Sequence, residues 1–137
     1  MSTLSVATIK SASSAAPVFQ NTSGTEIGTL CRVWINFDGT ATGGSIRDDF
    51  NVSSLVDQGT GDYEINFTNA LANSNYAAVA TGFNTQNADG SWIATSCGSS
   101  AWASNSDIST SRLTVVSFTT GGSHMDNGAI GVVICGD

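Results

Sequence analysis

The stretch CRVWINFDGT, residues 31–40, decides the fold. Its apolar residues alternate along an extended chain and share one face of a strand: Cys31, Val33, Ile35 and Phe37. The opposite face carries a charge, a large aromatic ring and an amide: Arg32, Trp34 and Asn36. Asp38-Gly39 then supplies a turn signal. The pattern predicts a half-buried strand that ends at Asp38, with a tryptophan on its more polar face.

Similar short runs, separated by glycine-rich turns, follow at intervals of about ten residues. We expect strands at 45–52, 62–67, 76–83, 91–97, 112–120 and 129–136, and a turn at 53–61. The last run, AIGVVICG (129–136), is nearly continuously apolar, so both of its faces should be covered. Helix formers are scarce and no helical spacing is sustained. Residues 31–137 are therefore predicted to form an all-β, antiparallel sandwich of the jelly-roll type.

Residues 1–30 differ from the rest because they hold only one aromatic residue and few apolar ones. Such a segment cannot bury enough apolar area to offset the entropy of ordering it alone. It is either a disordered tail or an arm ordered by a partner, and its apolar residues at strand spacing favour an extended anchoring arm. The candidate anchoring residues are Leu4, Val6, Ile9, Val18 and Phe19.

Charge and cysteine content narrow the function classes. The net charge is -7 and Lys and Arg number only 4, which disfavours nucleic acids and anionic membrane surfaces as partners. The 3 cysteines show no CxxC spacing, so buried free thiols are favoured, although a single disulfide stays open. With no signal peptide and no apolar run near the ~18 residues of a membrane span, we expect synthesis in the cytosol.

Catalytic and metal-binding arrangements are weakly represented. The only histidine, His124, lies in a turn with Ser123 and Asp126, too close in sequence for a typical triad. Adjacent carboxylates at Asp48-Asp49 should point to opposite faces of a strand. We therefore expect no enzyme, no cofactor and no metal. Whether the carboxylates of Asp57 and Asp62, which flank a glycine turn, hold an ion stays open.

The tryptophans carry the stronger functional signal, because large aromatic rings in polar surroundings are typical of interfaces and sugar-stacking platforms. Trp34 and its neighbour Arg32 are predicted at a subunit interface, although Trp34 as a plug of the sandwich is an alternative. Trp92 and Trp102 lie in or beside polar loops and are predicted to face a ligand.

Three segments together resemble a module of tailed-bacteriophage virion proteins, found especially in tail fibres of phages that infect aquatic bacteria. They are VFQNTSGTEIGTLCRVWINFDGT (18–40), IRDDFNVSSLVDQGTGDYEINFTNAL (46–71) and NSNYAAVATG (73–82), with the closing strand GAIGVVICG (128–136) in place. The resemblance implies a virion structural protein, usually homotrimeric, with a β-rich distal domain and neither cofactor nor known catalytic residues.

We therefore predict a short trimeric tail fibre or spike on the virion. Its arm (1–30) would bind other virion proteins, and its β-domain (31–137) would contact the host surface, where a glycan is one candidate ligand. Two alternatives stay open: a capsid or tail decoration protein, such as a head fibre or cement protein, and a free carbohydrate-binding module. The position on the virion, the host receptor and the oligomer count are not specified by these residues.

Overall fold

The computed structural model describes residues 6, 8, 19–28, 30–83, 93–97, 108–119 and 121–136; for residue 83 and for 93–97 it describes the backbone alone. The chain divides into two compact units, Met1–Leu30 and Cys31–Asp137. The strands of the described residues are, in chain order, β1 (Phe19–Gln20), β2 (Glu26–Gly28), β3 (Cys31–Asp38), β4 (Ser45–Phe50), β5 (Val52–Gly59), β6 (Asp62–Phe67), β7 (Ala77–Phe83), β8 (Ile93–Cys97), β9 (Arg112–Thr119) and β10 (Ala129–Cys135).

The second unit is a sandwich of two antiparallel sheets with 4 strands each. The first sheet has the order β4-β3-β10-β7 and the second has the order β5-β6-β9-β8. Strands β3 and β10, the first and last of this unit, lie side by side at the centre of the first sheet. The predicted all-β antiparallel sandwich is confirmed, and its jelly-roll connectivity stays a prediction.

The core lies between the sheets and is built from inward-facing alternate residues of their strands, together with Leu71, which follows β6. Its buried members are Val33, Ile35, Phe37, Tyr63, Ile65, Phe67, Leu71, Leu113, Val115, Ile130, Val132 and Ile134. The rings of Phe37 and Tyr63 meet edge to face, with their centroids 5.0 Å apart. Burying each large side chain contributes about 1.5–3 kcal/mol to stability, so the alternation read in residues 31–38 is the pattern that assembles the sandwich.

The predicted single strand at 45–52 and the turn at 53–61 are both wrong. Strand β4 ends at Phe50, and β5 (Val52–Gly59) belongs to the other sheet. Asn51 makes the corner: its φ is 62°, in the left-handed region that asparagine tolerates better than most residues. Its side-chain amide donates to the carbonyl of Arg32 (3.2 Å), and its Oδ1 accepts from the backbone N–H of Asn69 (2.8 Å).

A buried polar cluster closes one end of the sandwich. The Tyr63 hydroxyl donates to Asp126 Oδ1 (2.8 Å) and lies 3.1 Å from the Gly39 carbonyl oxygen. The same carboxylate oxygen accepts from the backbone N–H of Gly61 at 2.7 Å. Burial, followed by the Asp126 carboxylate, raises the pKa of Tyr63 above its ordinary value. These bonds tie the segment before β10 to the turns after β3 and β5.

The first unit contains a hairpin that the sequence did not predict. Strands β1 and β2 pair antiparallel, so residues 19–28 fold back on themselves rather than continuing as one extended arm. Asn21 organises the turn because its Oδ1 accepts from the N–H groups of Ser23 (2.9 Å) and Thr25 (3.0 Å). A two-stranded hairpin alone is marginally stable in water.

Candidate functional site

An apolar row crosses the outer face of the first sheet. Trp34 of β3 pairs with Phe50 of β4 on one side and with Val133 of β10 on the other, and Val133 pairs in turn with Val79 of β7. Directly opposed residues of antiparallel strands share a face, so these side chains form one continuous row. With strands about 4.8 Å apart, the row is about 14 Å long.

The members of the apolar row are largely open to solvent. Phe50 is 54% exposed, Val79 63% and Val133 46%, while Trp34 is half-buried between them. Isolated exposed apolar side chains are ordinary, but a contiguous set marks a surface that contacts something. Trp34 is thus placed at the centre of an apolar surface, as an interface residue requires; its predicted role in subunit contact stays a prediction.

A polar row lies next to the apolar row on the same face. Asn36 of β3 pairs with Asp48 of β4 and with Gly131 of β10, which in turn pairs with Thr81 of β7. Because Gly131 lacks a side chain, a groove of about 390 Å³ opens there, with Trp34 and Val133 among its lining residues. A Cβ on residue 131 would lie 3.2 Å from Thr81 Oγ1, so the glycine keeps the groove open.

The outer face of strand β10 is more exposed than the sequence predicted. The sequence AIGVVICG predicted that both faces are covered, and the inner face is buried through Ile130, Val132 and Ile134. The outer face is not covered among the described residues of the chain, because Val133 remains 46% exposed. The apolar sequence of β10 is typical of a strand that is covered on both faces, whereas the described part of one chain covers only its inner face.

Arg32 lies two residues before Trp34 in β3 and is half-buried. Its carbonyl accepts from the Asn51 amide at the corner between the sheets (3.2 Å). Its predicted role at a subunit interface stays a prediction.

The candidate catalytic groups are engaged in structural contacts. The Asp126 carboxylate is held by the Tyr63 hydroxyl and the Gly61 N–H, so it supports the corner of the sandwich. Asp48 pairs with outward-facing Asn36, whereas Asp49 pairs with buried Ile35. The two carboxylates therefore belong to opposite faces of β4, as predicted. Asp57 Oδ1 accepts from the N–H of Gly59 (3.0 Å). Within the described ranges, no group of three or more His, Cys, Asp or Glu side chains is arranged to hold a metal ion.

Most of the remaining predicted site residues lie outside the described part of the chain: Leu4, Ile9, Val18, Trp92 and Trp102. Val6 and Phe19, the other two predicted anchoring residues, are described and are exposed. Ile27 and Leu30 of the same unit are exposed too, although the sequence reading did not single them out. The first unit thus carries apolar side chains that are left open to solvent.

Sequence reasoning missed the companions of Trp34 in the apolar row. Phe50 was read as in phase with Ile46 and Val52, and Val79 as part of a strand of small residues. For Val133, the sequence offered one indication: the run at 129–136 is apolar on both faces of the strand. These positions come together only through the strand register, which the pattern of each strand taken alone does not reveal.

Comparison with known proteins found no matching family model, curated protein or solved structure. Among the residues that the structure describes, no helix has the length and apolar character needed to cross a membrane.

Proposed function

We propose that the chain is a non-catalytic structural protein of a phage virion, and that its copies assemble through the outer face of the first sheet. The observation that carries the proposal is the apolar row, in which exposed Phe50, Val133 and Val79 lie side by side with half-buried Trp34. The resemblance of about residues 17–82 to tail-fibre modules supports a short fibre or spike as the type of structure and a homotrimer as its symmetry.

The composition of the apolar row suits the core of a protein–protein interface. Interface cores are enriched in aromatic residues, and tryptophan is among the side chains that contribute most to binding. A row about 14 Å long would form only the centre of the ~800 Å² that each partner of a stable complex buries. The polar row beside it, with Asn36, Asp48 and Thr81, would then lie in the polar surround of that core.

Charge and solubility agree with self-assembly. Only 11% of the residues are charged, so copies of the outer face can approach with few like-charge contacts. Two cations lie near this face: Arg32, two residues before Trp34 in β3, and Arg47, which is held at the end of the sheet by Asp38 (2.9 Å). Covering the row would also remove an exposed apolar surface that invites uncontrolled association.

The first unit is proposed to attach the protein to the particle. Its described residues expose Val6, Phe19, Ile27 and Leu30, while its hairpin has only 2 strands. Docking onto another virion protein would cover these side chains and stabilise the hairpin. A decoration protein of the capsid or tail would use the same two surfaces, so it remains the second form of this proposal.

The experiment that tests the proposal combines mass and location. Sedimentation velocity of the full chain at micromolar concentration should give a trimer, and Val133→Lys should give a monomer with unchanged circular dichroism. Val56→Lys is the matched control, because Val56 is an exposed valine on the other sheet. Antibodies against the chain should label virions from cells infected by a phage that encodes it. Unlabelled virions would contradict the assignment.

A free carbohydrate-binding module is a second candidate, favoured by one observation. The groove above Gly131 places the Trp34 ring beside Asn36 and Thr81, an aromatic surface next to neutral hydrogen-bonding groups. Sugars bind such surfaces by stacking and hydrogen bonding. A glycan array probed with the full chain and with Trp34→Ala separates the two functions. Glycan binding by a monomer, lost in Trp34→Ala, would favour the module.

A further inference from the structure

Cys31 and Cys135 oppose each other across β3 and β10 because of a bulge. From Ile130↔Phe37 to Ile134↔Val33 the register is regular, and its continuation would set Cys135 opposite Arg32. The register instead shifts between Ile134 and Cys135, so that Cys135 pairs with Cys31. An extra residue in one strand is a specific local arrangement, and here its effect is to align the only two cysteines whose side chains the structure describes.

The cross-strand pairing of Cys135 with Cys31 suits a disulfide. Opposed residues of an antiparallel pair have Cα atoms about 4.5–5.5 Å apart, within the ~4.4–6.8 Å that disulfides span. Both cysteines are free thiols in the structure. Cys31 Sγ donates to the Val33 carbonyl at 3.3 Å, which holds this thiol against the sheet.

The two thiols differ in access. Cys135 is exposed, whereas Cys31 is half-buried. Burial raises the pKa of Cys31, with the neighbouring Cys135 as the next cause. The nucleophile in thiol chemistry is the thiolate. The exposed partner is therefore the one that meets a reagent from solution, and the half-buried one is placed to react second.

We propose that Cys31 and Cys135 form a thiol–disulfide site that reacts with low-molecular-weight disulfides, with oxidised glutathione as the probe. The Cys135 thiolate attacks one glutathione sulfur, the glutathione S–S bond breaks, and one glutathione leaves as a thiolate. The Cys31 thiolate then attacks Sγ of Cys135, forms the protein disulfide and releases the second glutathione. The two thiol protons pass to the two departing glutathione thiolates, so the protein is oxidised and the reagent reduced.

The bond would join the first and last strands of the second unit, whose chain ends lie side by side in the first sheet. It would close a loop that contains almost all of this unit, and disulfides that close long loops restrict the unfolded chain most. The site uses residues of β3 and β10 alone, so it does not depend on the proposed virion function.

The test uses the full chain carrying Cys97→Ser, which leaves Cys31 and Cys135 as the only thiols. After incubation with oxidised glutathione, intact mass should show the loss of two hydrogens and no bound glutathione. Peptide mapping should recover a linked pair of peptides containing both cysteines. Tm should rise by about 5 °C or more and return to its starting value on reduction with dithiothreitol. Cys135→Ser in the same background should show no rise.

Three results would overturn the proposal: both thiols still titrating after oxidation, glutathione retained on each cysteine without an internal bond, or disulfide-linked dimers as the main product. If Cys135→Ser does not fold, the linked peptide from the protein with both thiols is the sole test of the disulfide. Its absence at full consumption of thiols would count against the site.

Discussion

Replacing Tyr63 by phenylalanine should destabilise the protein and remove part of its sensitivity to alkali. The hydroxyl is buried, donates to Asp126 at 2.8 Å and lies 3.1 Å from the Gly39 carbonyl oxygen. Its loss leaves the carboxylate with one donor fewer, and hydrogen bonds to charged groups contribute about 1.5–3 kcal/mol. Urea unfolding at pH 7, followed by circular dichroism, should therefore show Tyr63→Phe less stable by about 2 kcal/mol.

The pH dependence of that difference is the sharper part of the prediction. The folded state raises the pKa of Tyr63, so its contribution to stability is complete below the unfolded pKa of about 10. Above that pH the unfolded chain releases the proton while the folded chain keeps it, and stability falls by about 1.4 kcal/mol per pH unit. Phenylalanine has no such proton, so the gap of about 2 kcal/mol should close near pH ~11.5.

Asp126→Asn is the matched control, because it keeps an oxygen acceptor while removing the charge. Burial is the largest cause of the raised pKa, so this variant should retain the alkaline loss that Tyr63→Phe removes. A gap between wild type and Tyr63→Phe that stays constant from pH 9 to about 11.5 would refute the reasoning. Equal stability of the two proteins at pH 7 would refute it as well.

Other substitutions test the fold by chemical denaturation. Gly61→Ala should destabilise by several kcal/mol, since its φ is +69° and a Cβ would clash with the Ser117 carbonyl oxygen. Gly122→Ala, with φ +82° and nothing within 4 Å, should lose only the ~1–2 kcal/mol of a left-handed backbone, and equal losses would contradict the clash. Asn51→Ala should lose about 1–3 kcal/mol, since it breaks the corner bonds to Arg32 and Asn69. Asn51→Gly removes the same side-chain bonds but adopts a positive φ without strain. If Asn51→Gly and Asn51→Ala lose the same stability, the side-chain bonds alone account for the loss. Leu113→Ala should lose about 2–5 kcal/mol because Leu113 is fully buried, and a loss below about 1 kcal/mol would contradict its place in the core.

Much of the sandwich was readable in the sequence where alternation was strong. Residues 31–38 and 62–67 alternate cleanly, and both form strands with one buried face. Strand β5 was missed because SSLVDQG, rich in small polar residues and ending in glycine, reads as a turn. The strand break at Asn51 was missed because Phe50 and Val52 keep strand spacing in the sequence, although Phe50 is exposed on the first sheet and Val52 packs against the core from the second.

The sequence predicted only part of the candidate site. Trp34 was identified because its face also carries polar residues, a local property of one strand. Its neighbours Phe50, Val133 and Val79 come from three other strands. Their alignment depends on long-range register, which side-chain packing in the folded sheet determines. The Cys31–Cys135 pairing likewise depends on a bulge that the sequence of neither strand predicts by itself.

In the proposed assembly, copies of this chain cover the outer face of the first sheet. Light scattering coupled to size exclusion, on the full chain at micromolar concentration, tests it most directly. We expect the mass of three chains of 14.0 kDa each, falling to one chain in Val133→Lys but not in Val56→Lys. A stable single-chain mass for the wild type across that concentration range would contradict it.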